Sequence, residues 1–118
     1  MSSAYQRLTA PATKFGNRKT EFNGQRYDSK AEARRAFELR ALEMNGEITN
    51  VETQVTYRLV VNEMLVAKYR CDFKYVDVRT GLIVVEDVKS PSTRKIPSYS
   101  IKKKLMKACH DITVVEVE

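Results

Sequence analysis

The chain has no tryptophan, one histidine (His110) and only two cysteines, Cys71 and Cys109. Two cysteines cannot build a disulfide framework, and no metal-ligand spacing joins them to His110, so a zinc-finger-type site is excluded. Both are expected as buried, reduced thiols. No apolar run is long enough to span a bilayer, and no signal peptide or lipidation motif is recognisable, so a cytoplasmic setting is expected. No strongly amphipathic basic helix carries tryptophan or a dense apolar face, which argues against a membrane surface as partner. Neither an internal repeat nor a base-reading motif such as a recognition helix is present.

What the chain does have is positive charge: 21 Lys and Arg against 15 Asp and Glu give a net charge of +6 over 118 residues. Such an excess favours a polyanionic partner, with nucleic acid first. The length fits one domain with a core of its own. Residues 1–19 mix Ser, Ala, Thr, Lys and Arg with little periodicity and are expected to be a flexible basic tail, leaving 20–118 as a single domain.

Residues 21–27 resemble a short hairpin turning at Asn23-Gly24. Ser29-Lys30-Ala31-Glu32 has the spacing of a capping box and opens a helix to about Met44, with Ala33, Ala36, Phe37, Ala41 and Met44 as its inward stripe. Residues 48–61 alternate as a long strand, Asn62-Glu63 turns into a second strand ending near Val76, and 77–81 turns into a third, Leu82 to Val88. Ser90 to Ser98, with Pro91 and Pro97, reads as a loop. A second helix follows at about Tyr99 to Cys109, capped by Ser98 or Ser100, with Ile101, Leu105 and Ala108 inward. Ile112 to Val117 is a last strand, expected to pair parallel to the third because a helix joins them.

Two of these strands carry acids. Asp72 interrupts the run Tyr69-Arg70-Cys71-Asp72-Phe73, and Asp87-Val88-Lys89 follows the aliphatic run 82–85. Alternation along a strand puts Asp87 and Lys89 on one side and Val88 on the other. Carboxylates rarely occupy buried strands without a partner. Two carboxylates with the Val88 carbonyl suit Mg2+ or Mn2+, and an ammonium beside them suits attacking water or developing phosphorane charge. The competing reading pairs the acids with Arg70, Lys74 or Lys89 in surface ion pairs.

The order of helix, three-strand meander, helix and strand, with Tyr69 to Phe73, Glu86 to Lys89 and the lysine-rich stretch Lys102 to Lys107, resembles the PD-(D/E)XK, restriction-endonuclease-like nucleases. It is most similar there to small phage and prophage proteins that share a skeleton with archaeal Holliday-junction resolvases. The resemblance covers roughly residues 28–117. It implies an α/β fold with an αβββαβ core and a mixed central sheet flanked by helices. It also implies Asp72 and Asp87 as metal-binding acids, Lys89 as the catalytic lysine and Glu32 as an acid on the first helix. Two features depart from the pattern: no proline precedes Asp72, and the second acid is Asp where Glu is more frequent.

Several residues carry two readings. Glu32 is either catalytic or a helix cap. Glu86 points away from Asp87 unless the strand end bulges, when it would replace Asp87 as ligand. Gln54 and Tyr99 line the site or face solvent. Arg94, Lys95, Lys102 and Lys103 hold phosphates or form a solvated face, and His110 is structural. The expected activity is a metal-dependent endonuclease cutting DNA, with branched DNA as substrate and a homodimer as the working form. The setting would be the host cytoplasm if a phage encodes it. The alternative is a non-catalytic nucleic-acid-binding module on the same fold.

Overall fold

The computed structural model describes residues 20–22, 25–27 and 29–118. The expected basic tail at 1–19 and the turn at Asn23-Gly24 lie outside the described residues. The described residues fall into two compact units divided between Met44 and Asn45.

The first unit contains an antiparallel pair, β1 (Thr20–Phe22) and β2 (Gln25–Tyr27), and the helix α1 (Lys30–Met44). Ser29 caps α1: its hydroxyl accepts the Glu32 N–H at 3.1 Å, satisfying one of the amides that a helix start leaves without an intrahelical acceptor. The buried face is Glu32, Ala33, Ala36 and Leu39. Phe37 is 60% exposed, and Ala41 and Met44 are exposed too, so the expected stripe is corrected. Both sets satisfy helical spacing, because apolar residues occur around much of the helix. Packing rather than period therefore selects the face.

The second unit is built on a four-stranded mixed sheet in the order β3-β4-β5-β6. Strands β3 (Ile48–Val61), β4 (Met64–Asp77) and β5 (Ile83–Val88) form the expected antiparallel meander, and β6 (Val115–Val117) pairs parallel to β5. The β3–β4 turn is two residues long, with Asn62 and Glu63 both at positive φ, the geometry that suits the right-handed twist of paired strands. A register shift between Thr49 and Glu52 inserts one extra residue into β3, with Asn50 at φ 57. On β4 the alternate residues Tyr69, Cys71, Phe73 and Tyr75 are all buried, as their period of two implies.

The stretch expected to be a loop is mostly helical. Ser90 accepts the Thr93 N–H at 3.3 Å and caps a short helix, α2 (Pro91–Arg94), and α3 runs Pro97–His110. Both prolines sit in a first turn, where the missing N–H is not needed and the fixed φ is already helical. Neither Ser98 nor Ser100 caps α3; the N-cap is Ile96, which offers no side-chain hydrogen bond. The inward stripe is also corrected: Tyr99 and Met106 are buried, whereas Ile101 and Ala108 are exposed. Tyr99 and Met106 join Leu59, Tyr69, Cys71, Val85 and Val114 in the core, with Leu105 packed against it.

Side chains at the end of α3 tie it to β3. The His110 ring bonds the Arg58 carbonyl at 2.9 Å, and the Cys109 thiol donates to the Val60 carbonyl at 3.4 Å. Cys71 is fully buried and Cys109 only partly, so the expectation of two buried thiols holds for one of them. The order α1, β3, β4, β5, α3, β6 is the expected αβββαβ succession, with α2 inserted.

Candidate active site

Backbone pairing aligns the two acids. Phe73 lies opposite Glu86, which puts Asp72 and Asp87 at the next position, where β4 and β5 cease to pair. There side chains replace the ladder. Asp87 Oδ1 accepts the Asp72 N–H at 3.0 Å, and Asp72 Oδ2 accepts the Val88 N–H at 2.9 Å. The Tyr69 hydroxyl donates to Asp87 Oδ2. These reciprocal bonds satisfy strand-end amides and hold the two carboxylates side by side.

Asp87 has no exposed surface, so it is not in a surface ion pair. Burial pushes its carboxyl up to about 6, and the negative charge of Asp72 adds to the rise; the Tyr69 hydrogen bond, Lys89 and the Asp72 amide oppose it. Burial, then the charge of Asp87, pushes the Tyr69 hydroxyl upward too, so it stays a donor at neutral pH. Glu86, 1% exposed, has its own donor in the Tyr75 hydroxyl.

Asp87 and Lys89 line one cavity of about 350 Å3, as strand alternation implies, together with Tyr99 and Lys102 from α3. The Lys89 ammonium lies 5.4 Å from the centre of the Tyr99 ring, within cation–π range. The same cavity is lined by Lys68, Tyr69 and Arg70 of β4 and by Thr93, Ile96 and Ser98. None of these is among the site residues expected from sequence. Lys68 and Arg70 had a signal, since they stand four and two residues before Asp72 on its strand.

Other expected residues are placed elsewhere. Arg94 lies 3.8 Å from both Glu116 and Glu118, and Lys103 pairs with Glu116 at 3.1 Å, so both already face internal carboxylates. Lys95 is exposed just after α2. Gln54, at φ 56, falls between the pairs Thr53–Phe73 and Val55–Cys71, the register position across from Asp72. Glu32 is 5% exposed and belongs to the first unit.

Among the described residues no group of three or more His, Cys, Asp or Glu is arranged to hold a metal ion. Two adjacent carboxylates still fit a hard cation such as Mg2+, which takes one or two protein carboxylates and keeps water or substrate phosphate for its remaining positions. The second oxygen of Asp72 accepts no hydrogen bond among the described residues, and burial strips the Asp87 carboxylate of hydration that its hydrogen bonds and Lys89 replace only in part.

The chain belongs to a family described as protein of unknown function (DUF1064), which matches residues 12–115. No curated protein and no solved structure matches it. No described helix is long and apolar enough to cross a membrane.

Proposed function

We propose that this DUF1064 member is a metal-dependent endodeoxyribonuclease of the PD-(D/E)XK type. The observation that carries the reading is the meeting of Asp87 and Lys89 on one cavity with Asp72 hydrogen-bonded beside them. Asp72 and Asp87, with the Val88 carbonyl, would hold Mg2+ or Mn2+. The bound ion supplies Lewis acidity toward a phosphodiester. Lys89 orients the attacking water and offsets charge gathering on the phosphorane oxygens; Tyr99, within cation–π range, restrains its ammonium. Tyr69 keeps the Asp87 carboxylate in place through its hydrogen bond.

DNA is the substrate class proposed, supported by the net charge of +6 and by four basic residues around the cavity, Lys68, Arg70, Lys89 and Lys102. No base-reading element accompanies them, which favours recognition of DNA shape, with branched junctions as the leading substrate. Cutting two strands of a branch suits a homodimer. The test is incubation with linear, nicked, flap and four-way DNA in Mg2+ or Mn2+, with EDTA as control. Cleavage of the branched forms that EDTA abolishes supports the proposal. Tight binding with no cleavage in either metal would replace it with a non-catalytic DNA-binding module.

A further inference from the structure

The cavity beside Asp87 is more basic than metal-assisted cleavage requires. Lys68, Arg70, Lys89 and Lys102 stand around it against a single acid, Asp87. Among the described residues, the three lysines of this set keep their charge unengaged by any carboxylate in an ion pair. Arg94 and Lys103 are engaged by Glu116 and Glu118, whereas Lys68, Lys89 and Lys102 form no ion pair among the described residues.

A second observation concerns α3. Its N-cap, Ile96, has no side chain that can accept a hydrogen bond, and its first turn contains no acid. The early amides of that helix thus lack a side-chain cap, and Ser98 and Tyr99 of the same turn line the cavity. Helix starts attract anions through such amides and through the positive end of the dipole. Thr93 and Ser98 add hydroxyl groups to the wall.

We propose that this cavity is a subsite for a phosphoryl dianion, the terminal phosphate of a nucleic-acid strand, held by Lys68, Arg70 and Lys102 above the start of α3. An internal phosphodiester has one negative charge and two non-bridging oxygens. A terminal phosphate has a third such oxygen and close to a second charge, which match the surplus of cations and the added donors. At about 350 Å3 the space lies at the small end of ligand pockets, sized for the end of one strand rather than a duplex. The proposal rests on the nuclease reading for the identity of the polymer; the phosphate chemistry rests on the cavity alone.

The experiment is a binding titration in EDTA, so that no metal is present, using fluorescent single-stranded DNA with a 5′-phosphate, a 3′-phosphate or hydroxyls at both ends. A phosphate at one end is expected to tighten binding by about tenfold or more, the scale of one additional charge-assisted contact. Lys68→Gln and Lys102→Gln, checked for folding by circular dichroism, should each weaken binding to every strand and also remove most of the preference, read as the ratio of the affinities for phosphate-ended and hydroxyl-ended DNA. Inorganic phosphate at millimolar concentration should compete with the phosphate-ended strand only. Equal affinity for all three strands overturns the subsite. A parallel digestion in Mg2+ separates the two readings: terminal preference without cleavage leaves the subsite standing and removes the nuclease, and cleavage without terminal preference does the reverse.

Discussion

Replacing Asp87 by asparagine should stabilise the protein at neutral pH while removing its proposed activity. The carboxyl is fully buried and pushed up to about 6 from an ordinary 3.8. Because the folded value is the higher one, the native state binds a proton between the two values that the unfolded chain has lost. Stability is therefore greatest, as far as this group is concerned, below about pH 4 and falls as pH rises through about 6. A shift of roughly two pH units corresponds to about 3 kcal/mol above pH 7. Asparagine avoids that penalty and keeps both contacts. Its carbonyl accepts the Asp72 N–H, and its NH2 donates to the Tyr69 hydroxyl, which accepts as readily as it donates. Thermal melts in EDTA should show Asp87→Asn and the native protein melting together near pH 4, and the variant higher by roughly 10 °C at pH 8. Mg2+ should then raise the native protein alone, by about 1.4 kcal/mol at ten times its Kd. A variant less stable at pH 8, or a difference that does not change with pH, would refute the reasoning.

Asp72→Asn and Lys89→Ala should each lower cleavage by about two to three orders of magnitude, the scale of a lost electrostatic partner, with DNA binding retained; gel-shift and cleavage assays on the same preparations check this. Full activity in Lys89→Ala would remove the lysine from the mechanism. Tyr75→Phe takes the hydroxyl donor from buried Glu86 and is expected to destabilise by about 1.5–3 kcal/mol in urea unfolding. Ser29→Ala should destabilise by about 1 kcal/mol and speed amide exchange over the first turn of α1, since it removes the acceptor for the Glu32 N–H. Burial pushes the Cys71 thiol up to about 11, so alkylation of the folded protein at pH 8, read by mass spectrometry, should mark Cys109 and spare Cys71.

Local and periodic features were legible in the sequence. Alternation identified the buried row Tyr69, Cys71, Phe73 and Tyr75, Asn62-Glu63 gave the hairpin turn, and Ser29 marked the start of α1. Each depends on neighbours within a few residues, which is where backbone geometry acts. The convergence of Asp87 and Lys89 was legible for the same reason, since residues two apart on a strand share a side. Other features needed the third dimension. The exposed Phe37 and Ile101, and the buried Leu39 and Tyr99, show that spacing permits several helix faces and that packing chooses one. The prolines at 91 and 97 were compatible with a loop or with first helical turns, and only the capping contact of Ser90 and the course of α3 decide between them. Whether Arg94 and Lys103 face DNA or protein depended on Glu116 and Glu118, which the parallel pairing of β6 beside β5 brings near. The sequence by itself determined which side chains lie on the same strand. The fold decided which strands and helices meet, because a long-range partner exists only once distant segments pack, and from that came the Tyr69–Asp87 bond and the basic cavity beside it.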